Sequence, residues 1–173
     1  RLITKMINMT ITKSLERVFE NNDISIKEYI PAYNGESAGI DLHNAGGTVS
    51  IRPLANSYIL LGNNNETSSL QIPTGVKISV PKGYVALIKE RGSISKTTLK
   101  VRAGVIDPGY TGEVFINCVN VGRQVYTIYK GSKLPFQIVV VKCDNEFNIV
   151  SNEEFNKLAK QSSRKSGKIG SSD

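Results

Sequence analysis

The chain has 173 residues, a formal net charge of +7 and 39% hydrophobic residues, which suits one folded domain with modest appendages. No apolar run is long enough to span a membrane. The basic residues are spread along the chain without a block of like charges or an aromatic–basic motif, so we expect no membrane association and no direct nucleic-acid binding.

The N-terminal residues lack the long apolar stretch of a secretory signal. Ser14 is a candidate N-cap for a short helix that carries Leu15, Val18 and Phe19 at i, i+3, i+4 spacing. We interpret residues 1–22 as an appendage to the domain that follows. We expect the protein in the cytoplasm, or in the cytoplasm or nucleus of a host cell if it is viral.

From residue 23 to residue 150 the pattern is that of short β-strands separated by turns. The continuous apolar run from Ile138 to Val141 is expected to be a strand buried on both faces, and residues 62–69 read as a polar loop inserted between strands. Three runs alternate: Val76-Ile78-Val80, Tyr84-Ala86-Ile88 and Val125-Thr127-Tyr129. This spacing predicts an all-β sandwich, jelly roll or barrel.

Residues 151–173 are expected to form a C-terminal arm. Ser151 and Glu154 match a capping box, and Phe155, Leu158 and Ala159 supply a brief helical face. Residues 162–173 contain a single apolar side chain, Ile169, so we expect this segment to be mobile unless it docks on something.

Cysteine and histidine are scarce. Cys118 and Cys143 fall in strand-like runs without a CxxC spacing, which predicts reduced core thiols. With His43 as its only histidine, the chain offers no basis for a histidine-dependent nucleophile or a protein-borne catalytic metal cluster.

Five polar stretches remain as candidates for chemistry. Each also has a plain structural interpretation: Asp107-Pro108-Gly109-Tyr110 is a good type II turn, Asp41 could cap a turn, and Arg91 could pair with Glu90 at the surface. The stretches are Ala38–Leu42, Arg91–Ser93, Gly104–Tyr110, Gly131–Lys133 with Gln137, and Arg164–Ser172.

In their order and spacing, these stretches resemble the five motifs of the trimeric dUTPases. Ala38 to Leu42 matches Ala-Gly-x-Asp-Leu, and Arg91-Gly92-Ser93-Ile94-Ser95 looks like Arg-Ser-Gly-Leu-Ala. Gly104 to Val114 matches Gly-Val-Ile-Asp-x-x-Tyr-x-Gly-Glu-Val, the most specific of the five. Gly131 to Gln137 looks like Gly-Asp-x-x-x-Gln, and Arg164 to Asp173 is similar to Arg-x-x-Gly-Gly-Phe-Gly-Ser-Thr-Gly.

The resemblance implies an all-β, distorted jelly-roll (β-clip) domain with short helical pieces and a mobile C-terminal arm. It implies an enzyme that hydrolyses dUTP to dUMP and pyrophosphate with Mg²⁺, which limits uracil incorporation into DNA and supplies dUMP for thymidylate synthesis. It also implies a homotrimer with shared active sites, the arm of each site being donated by a neighbouring subunit.

The resemblance also implies a role for each matched residue. Asp107 would be the general base for the attacking water, and Tyr110 would stack under the deoxyribose and reject UTP. Asp41 would hold Mg²⁺ through water. Backbone groups of Gly104, Val105 and Ile106 would pair with uracil. The phosphates would be bound by Arg91, Gly92, Ser93 and Gln137, and by Arg164, Gly170, Ser171 and Ser172 of the arm, with Ile169 covering the uracil.

Four departures mark a divergent member, viral or phage-borne in character. Gly92-Ser93 inverts the usual Ser-Gly order, and Ser132 replaces an acidic residue. Ile169 stands where the family has Phe, which implies weaker closure of the arm and a higher KM. Lys168 and Asp173 replace glycines.

Three rival interpretations stay open at this point. The related dCTP deaminases place a glutamate on the strand after the turn, where this chain has Asn117. A catalytically weak nucleotide-sensing or partner-binding protein could keep the same fold. A nucleic-acid binder would need its charge concentrated on one face. An active enzyme is favoured by the joint retention of Asp41, Arg91, Asp107, Tyr110, Gln137 and Arg164.

Overall fold

The structure is a computed structural model, and it describes residues 7–21, 36–54, 69–144 and 146–161. Its helices are α1 (Lys13–Asn21), a 3-10 helix (Gly92–Lys96) and α2 (Asn152–Gln161). The strands described are β1 (Asn8–Ile11), β2 (Gly39–His43), β3 (Val49–Ile51), β4 (Ser69–Ser79), β5 (Tyr84–Glu90), β6 (Leu99–Arg102), β7 (Val105–Ile106), β8 (Glu113–Asn120), β9 (Tyr126–Ile128) and β10 (Lys133–Lys142).

The strands form two four-stranded sheets and one ribbon. The first sheet has the order β1-β4-β8-β6, the second has the order β2-β10-β5-β7, and β3 pairs with β9. All strand pairings within these sheets are antiparallel. The predicted all-β class is confirmed. Of the ten predicted site residues that the structure describes, four lie on strands of the second sheet: Asp41, Val105, Ile106 and Gln137.

The core lies between the inner faces of the two larger sheets. Alternate residues of each strand point inward because side chains in a strand alternate between its two faces. On β8, Val114, Ile116 and Cys118 are buried while Phe115 is exposed. The predicted alternation of Val76, Ile78 and Val80 is likewise confirmed, since all three are at most 3% exposed.

Residues 8–21 form part of the first sheet's packing. Strand β1 pairs with β4, and α1 buries Leu15, Val18 and Phe19 as its spacing predicted. The predicted N-cap at Ser14 is wrong, because the N–H groups of Leu15 and Glu16 donate to the Thr12 carbonyl. The Thr12 N–H in turn donates to the Gly75 carbonyl, so pairing with β4 sets where the helix begins.

Two expectations about β10 and the cysteines need correction. Within the run from Ile138 to Val141, Ile138 is 1% exposed but Val141 is 37% exposed, so this end of the strand is not covered on both faces. Cys118 is buried, as expected of a core cysteine, and burial raises the pKa of its thiol to about 11. Cys143 is exposed and therefore not a core thiol; it lies just after β10, which ends at Lys142.

The chain divides into two compact units, with the boundary between Cys143 and Asp144. The first unit includes residues 7–21, the described part of the expected N-terminal appendage. In the second unit, α2 begins after Ser151, whose Oγ accepts the Glu154 N–H at 3.2 Å, in agreement with the predicted cap. Its apolar side chains are exposed, with Phe155 at 63% and Leu158 at 54%.

Parts of the predicted organisation lie outside the described residues. These are residues 62–68 of the polar loop and residues 162–173 of the arm. Among the helices that the structure does describe, none has the length and apolar character needed to cross a membrane.

Candidate active site

Asp41 lies on β2 and belongs to the first of two groups of candidate site residues. Its carboxylate oxygens contact two cations, the Arg91 Nε at 2.6 Å and the Lys133 Nζ at 3.5 Å. The side chains of Asp41 and Arg91 are 25% and 26% exposed, so solvent and ligands can reach the pair. The carboxylate predicted to hold Mg²⁺ through water is thus flanked by two positive charges.

Arg91 is fixed by β10 as well as by Asp41. It follows β5 directly and is the N-cap of the 3-10 helix. Its backbone N–H donates to the Pro135 carbonyl at 2.9 Å, and its Nη1 donates to the Leu134 carbonyl at 3.2 Å. Gly92 and Ser93 form the exposed first turn of this helix. The segment therefore presents a held guanidinium beside a solvent-facing turn.

A bulge in β10 brings the fourth predicted stretch to the same place. Lys133 lies opposite His43 and Gln137 opposite Asp41, with the register shifting between them. The stretch from Gly131 to Gln137 is one residue longer than Gly-Asp-x-x-x-Gln, and a bulge is how a strand accommodates extra residues. The Gln137 Nε2 donates to the Glu90 carbonyl at 3.2 Å, which holds its amide next to Asp41.

Lys133 is a further cation of the candidate site. It belongs to the fourth motif, but the motif pattern alone gives it no role. The signal available was its place beside Ser132, where the family's acidic residue is replaced by a neutral one. With that acid absent, the Lys133 ammonium is paired with Asp41 on the neighbouring strand.

Gly39 explains why the first motif contains glycine. A Cβ at this position would lie 2.6 Å from the Gln137 Oε1 and 2.8 Å from the Ile138 carbonyl oxygen. Both distances are shorter than real Cβ contacts allow. The close approach of β2 to β10, which places Asp41 opposite Gln137, therefore depends on the missing side chain.

The second group of site residues lies on and after β7. This strand pairs with β5 through Ile106 with Ala86 and Val105 with Leu87, and it ends the sheet order. One row of its backbone N–H and C=O groups therefore points away from β5. Gly104 allows a close approach, because a Cβ there would lie 2.9 Å from the Ile88 carbonyl oxygen.

Two left-handed residues bracket this strand. Ala103, just before Gly104, has φ of 49°, and Gly109 has φ of 85°. A positive φ in alanine costs free energy and is kept only where the surroundings require it. Here the positive φ of Ala103 turns the chain from β6 into β7 and so sets the direction in which the backbone groups of Gly104 to Ile106 point.

The turn from Asp107 to Tyr110 has the predicted form. The Tyr110 N–H donates to the Asp107 carbonyl at 3.3 Å, and Gly109 takes the positive φ of a type II turn. Asp107 is exposed, and Tyr110 is 44% exposed. A solvent-facing carboxylate and an exposed aromatic ring therefore follow β7 directly.

The described contacts thus fall into two groups within one chain. The first comprises Asp41, Arg91, Lys133 and Gln137, and the second comprises Gly104, Val105, Ile106, Asp107 and Tyr110. The predicted arm residues Arg164, Ile169, Gly170, Ser171 and Ser172 lie outside the described residues. Within the described ranges, no cluster of three or more His, Cys, Asp or Glu side chains could hold a metal ion unaided.

Comparison with known proteins gives a consistent picture. Residues 55–173 match the dUTPase family. The deoxyuridine 5'-triphosphate nucleotidohydrolase of Wolbachia pipientis wMel is 30% identical over 165 residues, which span 94% of this chain and 95% of that protein.

Solved phage dUTPases share the fold. The Staphylococcus bacteriophage 80alpha dUTPase, solved with dUPNHPP, is 25% identical with a TM-score of 0.68, covering 98% of this chain and 99% of that one. A mutant dUTPase from phage phi11 of S. aureus is 23% identical with a TM-score of 0.60, covering 86% and 97%. These likenesses bear out the jelly-roll prediction.

Proposed function

The chain belongs to the dUTPase family, and from this membership we propose that it hydrolyses dUTP to dUMP and pyrophosphate. The observation that best supports the proposal is the order in which three structural features follow β6 along the chain. Among the described strands, the edge of β7 (Val105–Ile106) that faces away from β5 has no partner strand, and it is followed by an exposed carboxylate, Asp107, and an exposed ring, Tyr110. Such an activity limits uracil incorporation into DNA and supplies dUMP for thymidylate synthesis.

The strand edge suits recognition of uracil. Backbone N–H and C=O groups alternate along a strand, and their positions are fixed by the pairing of β7 with β5. A uracil edge offers a matching alternation of acceptors and one donor. The ring of Tyr110 would then lie against the deoxyribose, where a 2′-hydroxyl would meet the ring face.

The first group of residues suits the phosphates. Arg91 and Lys133 supply two positive charges, and Ser93 and Gln137 supply uncharged hydrogen-bond donors beside them. In the free protein Asp41 is the counter-ion of both cations. A triphosphate would compete with Asp41 for them, because ionised phosphate oxygens accept strong charge-assisted bonds.

The donor set fits a Mg²⁺ ion that the substrate carries. The described residues offer a single reachable carboxylate in this group, Asp41, and no cluster that could hold the ion alone. Mg²⁺ often keeps several waters and binds through one carboxylate plus substrate phosphates. When bound, it would neutralise charge on the phosphates. The phage phi11 dUTPase, whose structure shows a coordinated structural Mg(II) ion, shares this fold.

Asp107 would act as the general base. Its carboxylate accepts a proton from water as the water oxygen attacks the α-phosphorus and the bond to the α–β bridging oxygen breaks. The products are dUMP, which keeps the new oxygen, and pyrophosphate. Arg91, Lys133 and Gln137 would hold the phosphates in line, and Arg164 with Gly170, Ser171 and Ser172 of the arm would close over them.

We infer a homotrimer in which each site combines residues of several subunits. What supports this is the division of the described site residues into two groups on one small domain, together with an arm that carries the remaining motif. Equilibrium sedimentation should give a mass of three chains. A mass equal to one chain would remove the basis for shared sites.

Lys133→Ala should raise the KM for dUTP about three- to tenfold and leave kcat nearly unchanged, because it removes one cation from the phosphate site. The effect should shrink as salt is added, since salt screens exposed charges. Steady-state kinetics at two ionic strengths measures both. Lys142→Ala, at the other end of the same strand, is the control, and equal effects of the two variants would contradict the assignment.

Incubation with dUTP and Mg²⁺ in ¹⁸O-labelled water tests the reaction itself. We expect one labelled oxygen in dUMP and none in pyrophosphate, as attack on the α-phosphorus requires. Label in pyrophosphate would mean attack at the β-phosphorus. If dUTP is not cleaved at all, a nucleotide-sensing or partner-binding role would be favoured instead.

A further inference from the structure

Glu113 joins the Tyr110 turn to a distant strand. The Tyr110 hydroxyl donates to the Glu113 carbonyl at 2.7 Å, and the Glu113 Oε1 accepts the Gly75 N–H at 2.8 Å. One residue thus holds the end of the aromatic side chain with its backbone and holds β4 with its carboxylate. Tyr110 and Gly75 belong to segments 35 residues apart in the chain, so no local rule links them.

The partner of Glu113 is a bulge in β4. The register of β4 against β8 shifts between Pro73 and Lys77, and Gly75 within it has φ of 68°. A Cβ at Gly75 would lie 2.5 Å from the Leu15 Cβ. The bulge is therefore packed closely against α1.

A second bond ties the same bulge to β8. The Thr74 Oγ1 donates to the Val114 carbonyl at 2.6 Å and accepts the Val76 N–H at 3.2 Å. Thr74 is fully buried. The first two residues of β8 are thus both bonded to the bulge, Glu113 through its carboxylate and Val114 through its carbonyl.

The ring of Tyr110 is also held against the chain that leads to Glu113. A Cβ at Gly112 would lie 2.5 Å from the Tyr110 hydroxyl oxygen and 2.7 Å from its Cζ. The ring therefore lies on the backbone of Gly112. Together with the bond from its hydroxyl to the Glu113 carbonyl, this contact ties the position of the ring to where β8 begins.

We propose that Glu113 is a positioning residue for sugar selection, holding the Tyr110 ring at the depth that separates deoxyribose from ribose. This inference rests on the proposed function. The Gly75 N–H is buried, and a buried donor that loses its acceptor costs free energy. Without the carboxylate, the bulge or the start of β8 must shift to find another acceptor. The bonded Tyr110 ring would move with it, and the room for a 2′-hydroxyl would change.

The test compares kcat/KM for dUTP with kcat/KM for UTP in Glu113→Ala and Glu113→Gln. The ratio is independent of how much of a variant is folded, because both substrates meet the same active molecules. We expect the alanine variant to lose about tenfold or more of the dUTP preference, in the range that small changes of pocket shape produce. The glutamine variant keeps an oxygen acceptor for the Gly75 N–H and should stay within about threefold of the wild type.

Glu153→Ala, which removes an exposed carboxylate of α2, is the matched control and should leave the ratio unchanged. An unchanged ratio in Glu113→Ala would overturn the inference and leave the proposed function standing. A loss of the same size in Glu113→Gln would also overturn it, because the charge and not the hydrogen bond would then be responsible. If the wild-type protein has no activity on dUTP, both the proposed function and this inference are wrong.

Discussion

Asp107→Asn should lower kcat for dUTP about 10²- to 10⁴-fold, the contribution typical of a positioned general base. The substitution keeps the size of the side chain, and asparagine is as acceptable as aspartate at the first position of the turn. Tyr110 should therefore stay in place. What is lost is the ability to accept a proton from water. Steady-state kinetics gives kcat, and titration with a non-hydrolysable dUTP analogue gives the dissociation constant.

The dissociation constant should stay within about threefold of the wild type, because the proposed role of Asp107 is to accept a proton from the water and not to bind the nucleotide. Asp144→Asn, another exposed aspartate of the described chain, is the control and should leave both quantities unchanged. If Asp107→Asn retains most of kcat, another group takes the proton and the assignment of the base is wrong.

Gly39→Ala should lower the free energy of unfolding by about 1–3 kcal/mol, the range found for overpacking a filled site. The added Cβ would meet the Gln137 side chain and the Ile138 carbonyl oxygen, both closer than 3 Å. The backbone oxygen cannot turn away, so β2 and β10 must separate. Because Asp41 faces Gln137 across this contact, the affinity for dUTP should fall as well. Urea unfolding and nucleotide titration measure the two effects.

Gly47→Ala is the matched control. Nothing lies within 4 Å of a Cβ at Gly47, so this change should leave both the stability and the affinity close to wild type. Equal unfolding midpoints for the two variants would show that β2 and β10 can part without cost. The close approach would then not be what sets the geometry around Asp41.

The predictions that succeeded depend on local chemistry. Proline and glycine restrict their own backbone angles, so the turn from Asp107 to Tyr110 could be read from four residues. The alternation of Val76, Ile78 and Val80 reports one buried strand face in the same direct way. The helical face of α1 followed from the spacing of its apolar residues.

The predictions that failed depend on contacts between distant segments. Thr12 and not Ser14 precedes α1 because its N–H is bound to Gly75, on a strand that begins 57 residues later. Val141 is exposed because nothing described covers the end of β10. A window of sequence contains neither partner, so these outcomes could not be derived from periodicity.

The candidate site was predicted in part for the same reason. Asp41, Arg91 and Gln137 were identified through motif order, and the structure places them together. The bulge that brings Lys133 to Asp41 comes from the pairing of β10 with β2. The bond between Glu113 and Gly75 comes from the packing of β8 on β4. Both are tertiary features that motif spacing does not encode.

Pyrophosphate release from dUTP, UTP, dTTP and dCTP, each with Mg²⁺ and at equal concentration, tests the central claim most directly. We expect rapid release from dUTP and far slower release from the other three. The strand edge at Gly104 to Ile106 would select against cytosine, the Tyr110 ring against ribose, and the tight turn against the 5-methyl group of thymine. Release from dCTP or UTP at a rate similar to dUTP, or no release from any of the four, would contradict the account.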